Sequence, residues 1–176
     1  QTSPDTSSAG LRLAHESHID ASAIHVGDNG GGNLYLGQIN HILTDEFTIG
    51  TRGSDGYVHV PLGAQVQIGS HLRLTNLNIA DIIIGTSGTR SASLDATGAT
   101  LVAYLDQVLI GQKDNTAGDG VGTLTLGTSP DNYVVADTIL LGGIKGQGIV
   151  NFNGGEMHIG TLIRGPGPAQ FHWSGG

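Results

Sequence analysis

Cysteine is absent from this chain of 176 residues, and proline occurs only five times. Without cysteine the chain has no disulfide scaffold, no thiol nucleophile and no thiolate metal site. So little proline excludes a proline-rich linker, and the absence of a strict glycine triplet excludes collagen. No apolar run approaches the roughly 18 residues of a membrane-spanning helix, so we expect no membrane span.

Charge is also scarce, because charged residues make up 12% of the chain, about half the usual share. The formal net charge is −8. Phosphate binding needs a concentrated basic surface, so this balance disfavours nucleic acid as a partner. The length is that of one domain.

Glycine is abundant instead, with 30 residues, and it follows short β-branched runs. The runs are EFTIG, DIIIG, DQVLIG, DTILLG and EMHIG, with a looser first copy, DASAIHVG. Glycine turns sharply at low steric cost, so each run predicts a strand that ends at a corner. Runs such as DIIIG predict strands buried on both sides, and alternating runs such as GTLTLG predict one wet face.

A second strand phrase precedes most copies of the first, for example LRL, LYLG, LTLG and VNFNGG. Two strand phrases that alternate at a period of roughly 20 to 40 residues indicate a repeat architecture. The second phrase begins at Leu11, Leu34, Leu72, Leu101, Leu124, Val150 and Phe171.

The fold predicted from these phrases is all-β: a single-stranded parallel β-helix, or β-solenoid, of about six coils with almost no helix. The repeat domain is expected to span 11–176, after a mobile polar tail at 1–10. Because the last phrase has no following strand, we expect a fragment of a longer chain. The residues directly before the strand glycines should form one inward ladder: Ile49, Ile84, Ile110, Leu141 and Ile159.

The run from Gly148 to Gly176, GIVNFNGGEMHIGTLIRGPGPAQFHWSGG, resembles the autotransporter-associated β-strand repeats of large bacterial surface proteins. The segment from Leu34 to Gly56 is similar to related coils of such passengers. This resemblance covers the chain from about Leu11 onward. It implies a parallel β-helix, a secreted or cell-surface location and an adhesin-like role.

Basic residues follow the strand glycines, and an acid precedes each glycine. A positive stripe on an acidic body would suit an acidic polysaccharide or a neighbouring protomer. The alternative is a purely structural role, in which the basic residues only offset the charge of the acids. The acids would form a carboxylate row or would cap the turns. The basic residues are Arg52, Arg90, Lys113, Lys145 and Arg164, and the acids are Asp20, Asp45, Asp81, Asp106, Asp137 and Glu156.

Calcium is the one metal with candidate ligands, Asp114, Asn115 and Asp119 in KDNTAGDGVG. Oxygen ligands on a glycine-rich loop suit Ca²⁺, but the spacing is not that of an EF-hand, and a plain turn explains the loop as well. The eight histidines are scattered and predict no metal site. No cofactor is expected.

Three aromatic residues lie late in the chain: Phe152, Phe171 and Trp173. Phe152 and Phe171 are expected to stack, and Trp173 shares a face with Phe171 by alternation. Trp173 would either stack on a sugar ring or cover the end of the core.

The function that these patterns favour is a structural or adhesive extracellular β-solenoid without catalytic activity. One alternative is a carbohydrate-binding module that uses the basic residues or Trp173. Another is a polysaccharide lyase or hydrolase, but no pair of acids shares a strand face as such chemistry requires. The expected partners are an extracellular polysaccharide or a second copy, joined through the solenoid ends.

Overall fold

A computed structural model describes residues 9–28, 30–51, 54–80, 90–112 and 120–175, with only the backbone described at position 90. Within these ranges there are fourteen strands and no helix. The first sheet contains, in spatial order, β1 (Ala9–Arg12), β3 (Gly32–Tyr35), β5 (Gly56–His59), β8 (Arg90–Ala96), β10 (Gly120–Leu126), β12 (Gly146–Phe152) and β14 (Ala169–Trp173).

The second sheet contains β2 (Glu16–Asp28), β4 (Ile39–Thr51), β6 (Gln65–Ile68), β9 (Thr100–Ile110), β11 (Tyr133–Leu141) and β13 (Glu156–Arg164) in this order. Beside β6, β7 (Thr75–Ile79) also pairs with β4 and β9. The pairs between these strands are parallel. The all-β prediction is therefore confirmed. The strands form two sheets, each with parallel strand pairing.

The chain alternates between the two sheets, and the strand order within each sheet follows the chain. We call one strand of the first sheet, with the following strand or strands of the second, a unit. In one unit β6 and β7 share the length of a single long strand, because β6 pairs with the start of β4 and β7 with its end. The loop between them therefore projects from the second sheet.

The inward side of the first sheet carries a continuous column of apolar side chains. Its members are Leu11, Leu34, Val58, Leu94, Leu124, Val150 and Phe171. Five predicted phrase starts are confirmed as members of this column. The starts at Leu72 and Leu101 were wrong: Leu72 lies in a turn and is 99% exposed, and Leu101 is buried in the second sheet. Val58 and Leu94 occupy the two column positions for which no phrase start was predicted.

A second column lies at or within two residues of the ends of the second-sheet strands: Val26, Ile49, Ile79, Ile110, Leu141 and Arg164. Ile49, Ile110 and Leu141 belong to it as predicted and are buried. Ile159 was placed wrongly, because it pairs with Ala136 in the middle of the strand. The glycine after Ile159 lies within β13 and does not end it. Ile84 lies outside the described residues.

Glycine is required at position 111, where the chain leaves the second sheet for the first. A Cβ on Gly111, which has a φ of 67°, would lie 2.1 Å from the carbonyl oxygen of Gln147. The left-handed backbone and this close approach exclude a larger residue. The predicted role of the strand glycines at corners is thus confirmed at Gly111.

The core lies between the two sheets, where buried side chains from both form one cluster. Two buried asparagines satisfy backbone groups at its edge. Asn132 Oδ1 accepts from the Leu101 N–H at 2.9 Å, and its Nδ2 donates to the carbonyls of Gly127 and Gly154 at 2.9 and 3.2 Å. One side chain thereby connects three consecutive units.

β1 begins at Ala9, so the last two residues assigned to the predicted tail, Ala9 and Gly10, lie in a strand. Residues 1–8 lie outside the described part of the chain. Across the described residues, no helix has the length and apolar character needed to cross a membrane.

Candidate functional site

An outward column on the second sheet runs across six strands. It contains His18, His41, Gln67, Val102, Tyr133 and Glu156. The inward neighbours of its members are core residues, so alternation along each strand points the column away from the core. At the usual strand spacing of about 4.8 Å, the column is roughly 24 Å long.

Aromatic rings gather on this face. The ring centroids of His71 and Tyr104 are 4.2 Å apart, those of Tyr104 and Tyr133 are 6.1 Å apart, and those of Tyr133 and His158 are 5.4 Å apart. At the other end, the rings of His18 and His41 are 6.2 Å apart. We call these six residues the ring stripe.

The local chain explains how His71 joins the ring stripe. Gly69 follows β6 with a φ of 70°, and a Cβ there would lie 2.3 Å from the carbonyl oxygen of Tyr104. Gly69 therefore leaves the place beside Tyr104 without a side chain, and His71 from the projecting loop contacts that ring.

Between the two parts of the ring stripe lies a groove of about 160 Å³. Its lining includes Ile39, His41, Gln67, Thr100 and Val102. His41 Nδ1 lies 3.3 Å from Gln67 Oε1. The groove therefore combines apolar surface with amide and hydroxyl groups on the same face as the rings.

The first sheet carries a separate ring cluster on its outer side. The rings of Tyr35 and His59 are stacked at 4.5 Å with an interplanar angle of 13°, and the Arg12 guanidinium lies 4.8 Å from the Tyr35 ring centroid. Burial raises the pKa of Tyr57, which lies beside these rings, and the negative charge of Asp55 raises it further. A groove of about 310 Å³ adjoins His59 and the exposed Leu62.

Arg73 was missed in the sequence, because Gly69 at the end of β6 was not counted among the strand glycines and Arg73 itself fell within the supposed strand phrase LRL. Its Nε donates to Asp45 Oδ1 at 2.7 Å, its Nη1 to Asp20 Oδ1 at 2.6 Å and its Nη2 to the Ala21 carbonyl at 2.7 Å. The hydrogen bond from Arg73 lowers the pKa of Asp45. No spacing rule links residues 28 and 53 positions apart, so only the fold reveals this cluster.

The predicted acid row is not a single row. The register places Asp106 opposite Asp137 and Asp137 opposite Gly160. Glu156 pairs instead with Tyr133, and Asp20 with Leu43. Spacing to the next glycine was misleading because the strands differ in length, whereas the pairing depends on register. Asp81 lies outside the described residues.

The predicted basic residues do not all occupy equivalent loops. Lys145 is exposed in the loop after β11, whereas Arg164 is the last residue of β13 and pairs with Leu141. Arg90 begins β8, but its side chain is not described. Arg52 and Lys113 lie outside the described residues, as do the calcium candidates Asp114, Asn115 and Asp119.

Trp173 contacts the core from its end. It pairs with Phe152 and not with Phe171, and the ring centroids of Trp173 and Phe152 are 4.8 Å apart. The expected Phe152–Phe171 stack was therefore wrong, because Phe171 pairs with Val150. Trp173 and Phe171 do share a face, with centroids 6.4 Å apart. Trp173 is 54% exposed.

Within the described ranges, no three His, Asp or Glu side chains lie together in a way that could hold a metal ion. Comparisons with protein-family models, with curated proteins and with solved structures gave no match.

Proposed function

We propose that the chain is a single-stranded parallel β-helix of about six coils that acts as a structural and adhesive element outside the cell or at its surface. The observation that carries this proposal is the uninterrupted register of the first sheet. The column from Leu11 to Phe171 passes through every first-sheet strand of the described chain. A stack in which each unit contacts only its neighbours extends along one axis without changing its core.

The proposed location and the kinship with autotransporter-associated β-strand repeats rest on sequence phrases. The run from Gly148 to Gly176 supports them most, because its two aromatic phrases form adjacent strands. Val150 pairs with Phe171, and Phe152 pairs with Trp173. A repeat that contributes one such aromatic phrase to each coil requires that consecutive phrases pair in this way.

A second copy of the chain is the proposed adhesive partner. The outer strands β1 and β2 lie at one end of the sheets, and β13 and β14 lie at the other. Core columns are open at both ends, since Leu11 is 60% exposed and Leu162 is 50% exposed. Because both sheets are parallel, a head-to-tail copy would continue both ladders and cover these side chains.

The test is display of the chain on a bacterium that does not otherwise aggregate, with cell clumping as the measurement. We expect clumping with the parent chain and less with Leu162→Asp, which places a charge in the end column. Thr161→Asp is the matched control, because Thr161 is exposed on the same strand. Equal clumping of cells with and without the parent chain would refute the adhesive role, and release of sugar fragments from polysaccharides by the purified chain would refute the non-catalytic one.

A further inference from the structure

We propose that the ring stripe on the second sheet binds a neutral polysaccharide that lies along the column of strands. This proposal goes beyond the structural role above. It is independent of end-to-end association, because the ring stripe lies on an outer face and not at the ends of the sheets.

The ring geometry leaves aromatic surface open. The planes of His71, Tyr104, Tyr133 and His158 meet at successive angles of 52°, 58° and 54°. In a tilted pair an edge meets a face, so the rings do not cover one another completely. Tyr104 and Tyr133 are half-buried, which fixes their positions and keeps part of each ring in contact with water.

The ring cluster on the first sheet provides the contrast. Tyr35 lies between the Arg12 guanidinium and the nearly parallel His59 ring. Both neighbours approach at distances typical of stacking and cation–π contacts. Both faces of the Tyr35 ring are therefore occupied by neighbouring side chains of the same cluster. The ring stripe, in contrast, has ring faces available for the apolar side of a sugar ring.

Hydrogen-bonding groups accompany the rings. Gln67 and Glu156 belong to the same outward column as Tyr133, and Thr100 lines the groove between the two parts of the ring stripe. Sites for ligands that are partly apolar and partly hydroxylated combine aromatic surface with a few polar groups of this kind.

The sign of the local charge selects a neutral ligand. The strand positions that form this outward column include Glu156, and the neighbouring outward positions include Glu16 and Asp20. None of the residues in the outward column is Lys or Arg. Arg73, two residues after His71, is held by two carboxylates. An acidic polysaccharide would meet like charge here.

The length of the ring stripe indicates a polymer. Rings lie on β2, β4, β9, β11 and β13 of the second sheet, and His71 adds one from the loop after β6. A surface roughly 24 Å long matches several consecutive sugar rings and exceeds a single monosaccharide. Contacts repeated along one chain add up, so weak stacking at each ring yields measurable affinity for the polymer.

Native electrophoresis in gels that contain a dissolved polysaccharide tests the proposal. The neutral probes are hydroxyethyl cellulose, galactomannan and mixed-linkage glucan, and the acidic probe is polygalacturonate. We expect at least one neutral probe to retard the parent chain at both low and high salt. Retardation by none of them would overturn the proposal, as would retardation by polygalacturonate alone that disappears at high salt.

Variants locate the site. Tyr133→Ala and Tyr104→Ala are expected to weaken binding roughly three- to ten-fold, the range for loss of one aromatic contact. Tyr133→Phe keeps the ring and should retain affinity. Tyr35→Ala, a half-buried tyrosine of the first sheet, is the matched control and should bind like the parent.

Equal loss of binding in Tyr35→Ala and Tyr133→Ala would overturn the assignment to the second sheet. Circular dichroism confirms that each variant is folded. If the tyrosine variants do not fold, His71→Ala and His158→Ala replace them, because both side chains are exposed. Unchanged binding in both histidine variants would then also overturn the proposal.

Discussion

Ala80 adopts a φ of 57° at the place where Gly111, one unit later in the chain, has a φ of 67°. The two residues are equivalent, since the Ala80 N–H donates to the Ile49 carbonyl and the Gly111 N–H donates to the Ile79 carbonyl. One corner therefore accepts a methyl group in the left-handed region, although its neighbours use glycine. Ala80 is 1% exposed, so its methyl group is packed.

Adding a methyl group at one of these corners should cost far more stability than removing it from the other. Gly111→Ala is expected to lower the free energy of unfolding by about 2–5 kcal/mol, because left-handed strain adds to a clash with the Gln147 carbonyl. Ala80→Gly should change it by less than about 1 kcal/mol. Relief of strain there is offset by the lost methyl burial and by the flexibility of glycine in the unfolded chain.

Urea unfolding followed by circular dichroism measures both values. Gly63→Ala is a useful further comparison, because Gly63 has a φ of 74° but a Cβ there would meet no atom within 4 Å. It isolates the left-handed strain from the clash. A Gly111→Ala variant as stable as Gly63→Ala would contradict the close approach at the corner.

Acid should destabilise the chain partly through Arg73. The hydrogen bond from Arg73 holds the pKa of Asp45 below its ordinary 3.8. A carboxyl whose pKa is lower in the folded state stabilises the fold above its unfolded pKa, and this contribution is lost as pH falls through the folded value. Stability should therefore decline below about pH 5 as Asp45 becomes protonated.

Arg73→Gln removes this linkage, so its free energy of unfolding should fall less steeply than that of the parent between about pH 5 and pH 3. Lys145→Gln changes the net charge equally and serves as the control, with an unchanged slope. Added salt should reduce the difference between Arg73→Gln and the parent. Parallel acid profiles for all three chains would contradict the role of Arg73.

The buried Asn132 should matter more than asparagines on the outer faces. Asn132→Ala removes hydrogen bonds to Leu101, Gly127 and Gly154, and buried groups left without a partner cost about 1–3 kcal/mol each. Asn151→Ala removes a single bond of 3.2 Å to Thr125 Oγ1 and is expected to cost less than about 1 kcal/mol. Thermal unfolding of the two variants compares them, and equal melting temperatures would contradict this ranking.

The corrected register makes a further prediction about core side chains. Ile110 is buried in the column that ends the second-sheet strands, so Ile110→Ala should cost about 2–5 kcal/mol. Ile163 lies on β13 with 40% of its surface exposed, and Ile163→Ala should cost less than about 1 kcal/mol. Urea unfolding separates the two, and similar losses would show that the register is wrong.

Composition and strand phrases were sufficient to predict an all-β fold, because short β-branched runs and glycine corners are local properties. The phrases also located five members of the first-sheet column. They failed where a phrase was imitated by a loop, as at Leu72, or where a glycine lay inside a strand, as at Gly160. In both cases the local sequence matched the strand phrase. Only the pairing with neighbouring strands shows which copies are strands that end at a glycine.

The candidate site was less accessible to sequence reasoning. His71 and Tyr104 are far apart in the chain, and Tyr133 and His158 lie on two further strands, so their proximity is a consequence of register. A search for aromatic or histidine residues at the outward positions of successive strands would have found part of this site. Such a search needs the correct alignment of successive strands, which the strand phrases did not supply because two of their starts were wrong.

End-to-end association should depend on the side chains that close the two apolar columns. Leu162 continues the column of buried Val108 and Ile139 but is itself 50% exposed, because β13 is the outermost strand of the second sheet among the described residues. Trp173 covers part of the same end through its contact with Phe152. At the opposite end Leu11 is 60% exposed on β1.

Sedimentation velocity over a series of concentrations measures this association. The parent chain should show a rising average sedimentation coefficient as its concentration increases, and Leu162→Asp should lower it, because a buried unpaired carboxylate opposes contact. Leu11→Asp, at the other end, should have the same effect, and an equimolar mixture of the two variants should stop at dimers, since each retains one intact end and head-to-tail contact needs one end of each kind. Leu62→Asp is the control, because Leu62 is exposed outside the strands. A parent chain that stays monomeric at every concentration, or a Leu62→Asp variant that loses association equally, would contradict contact through the ends.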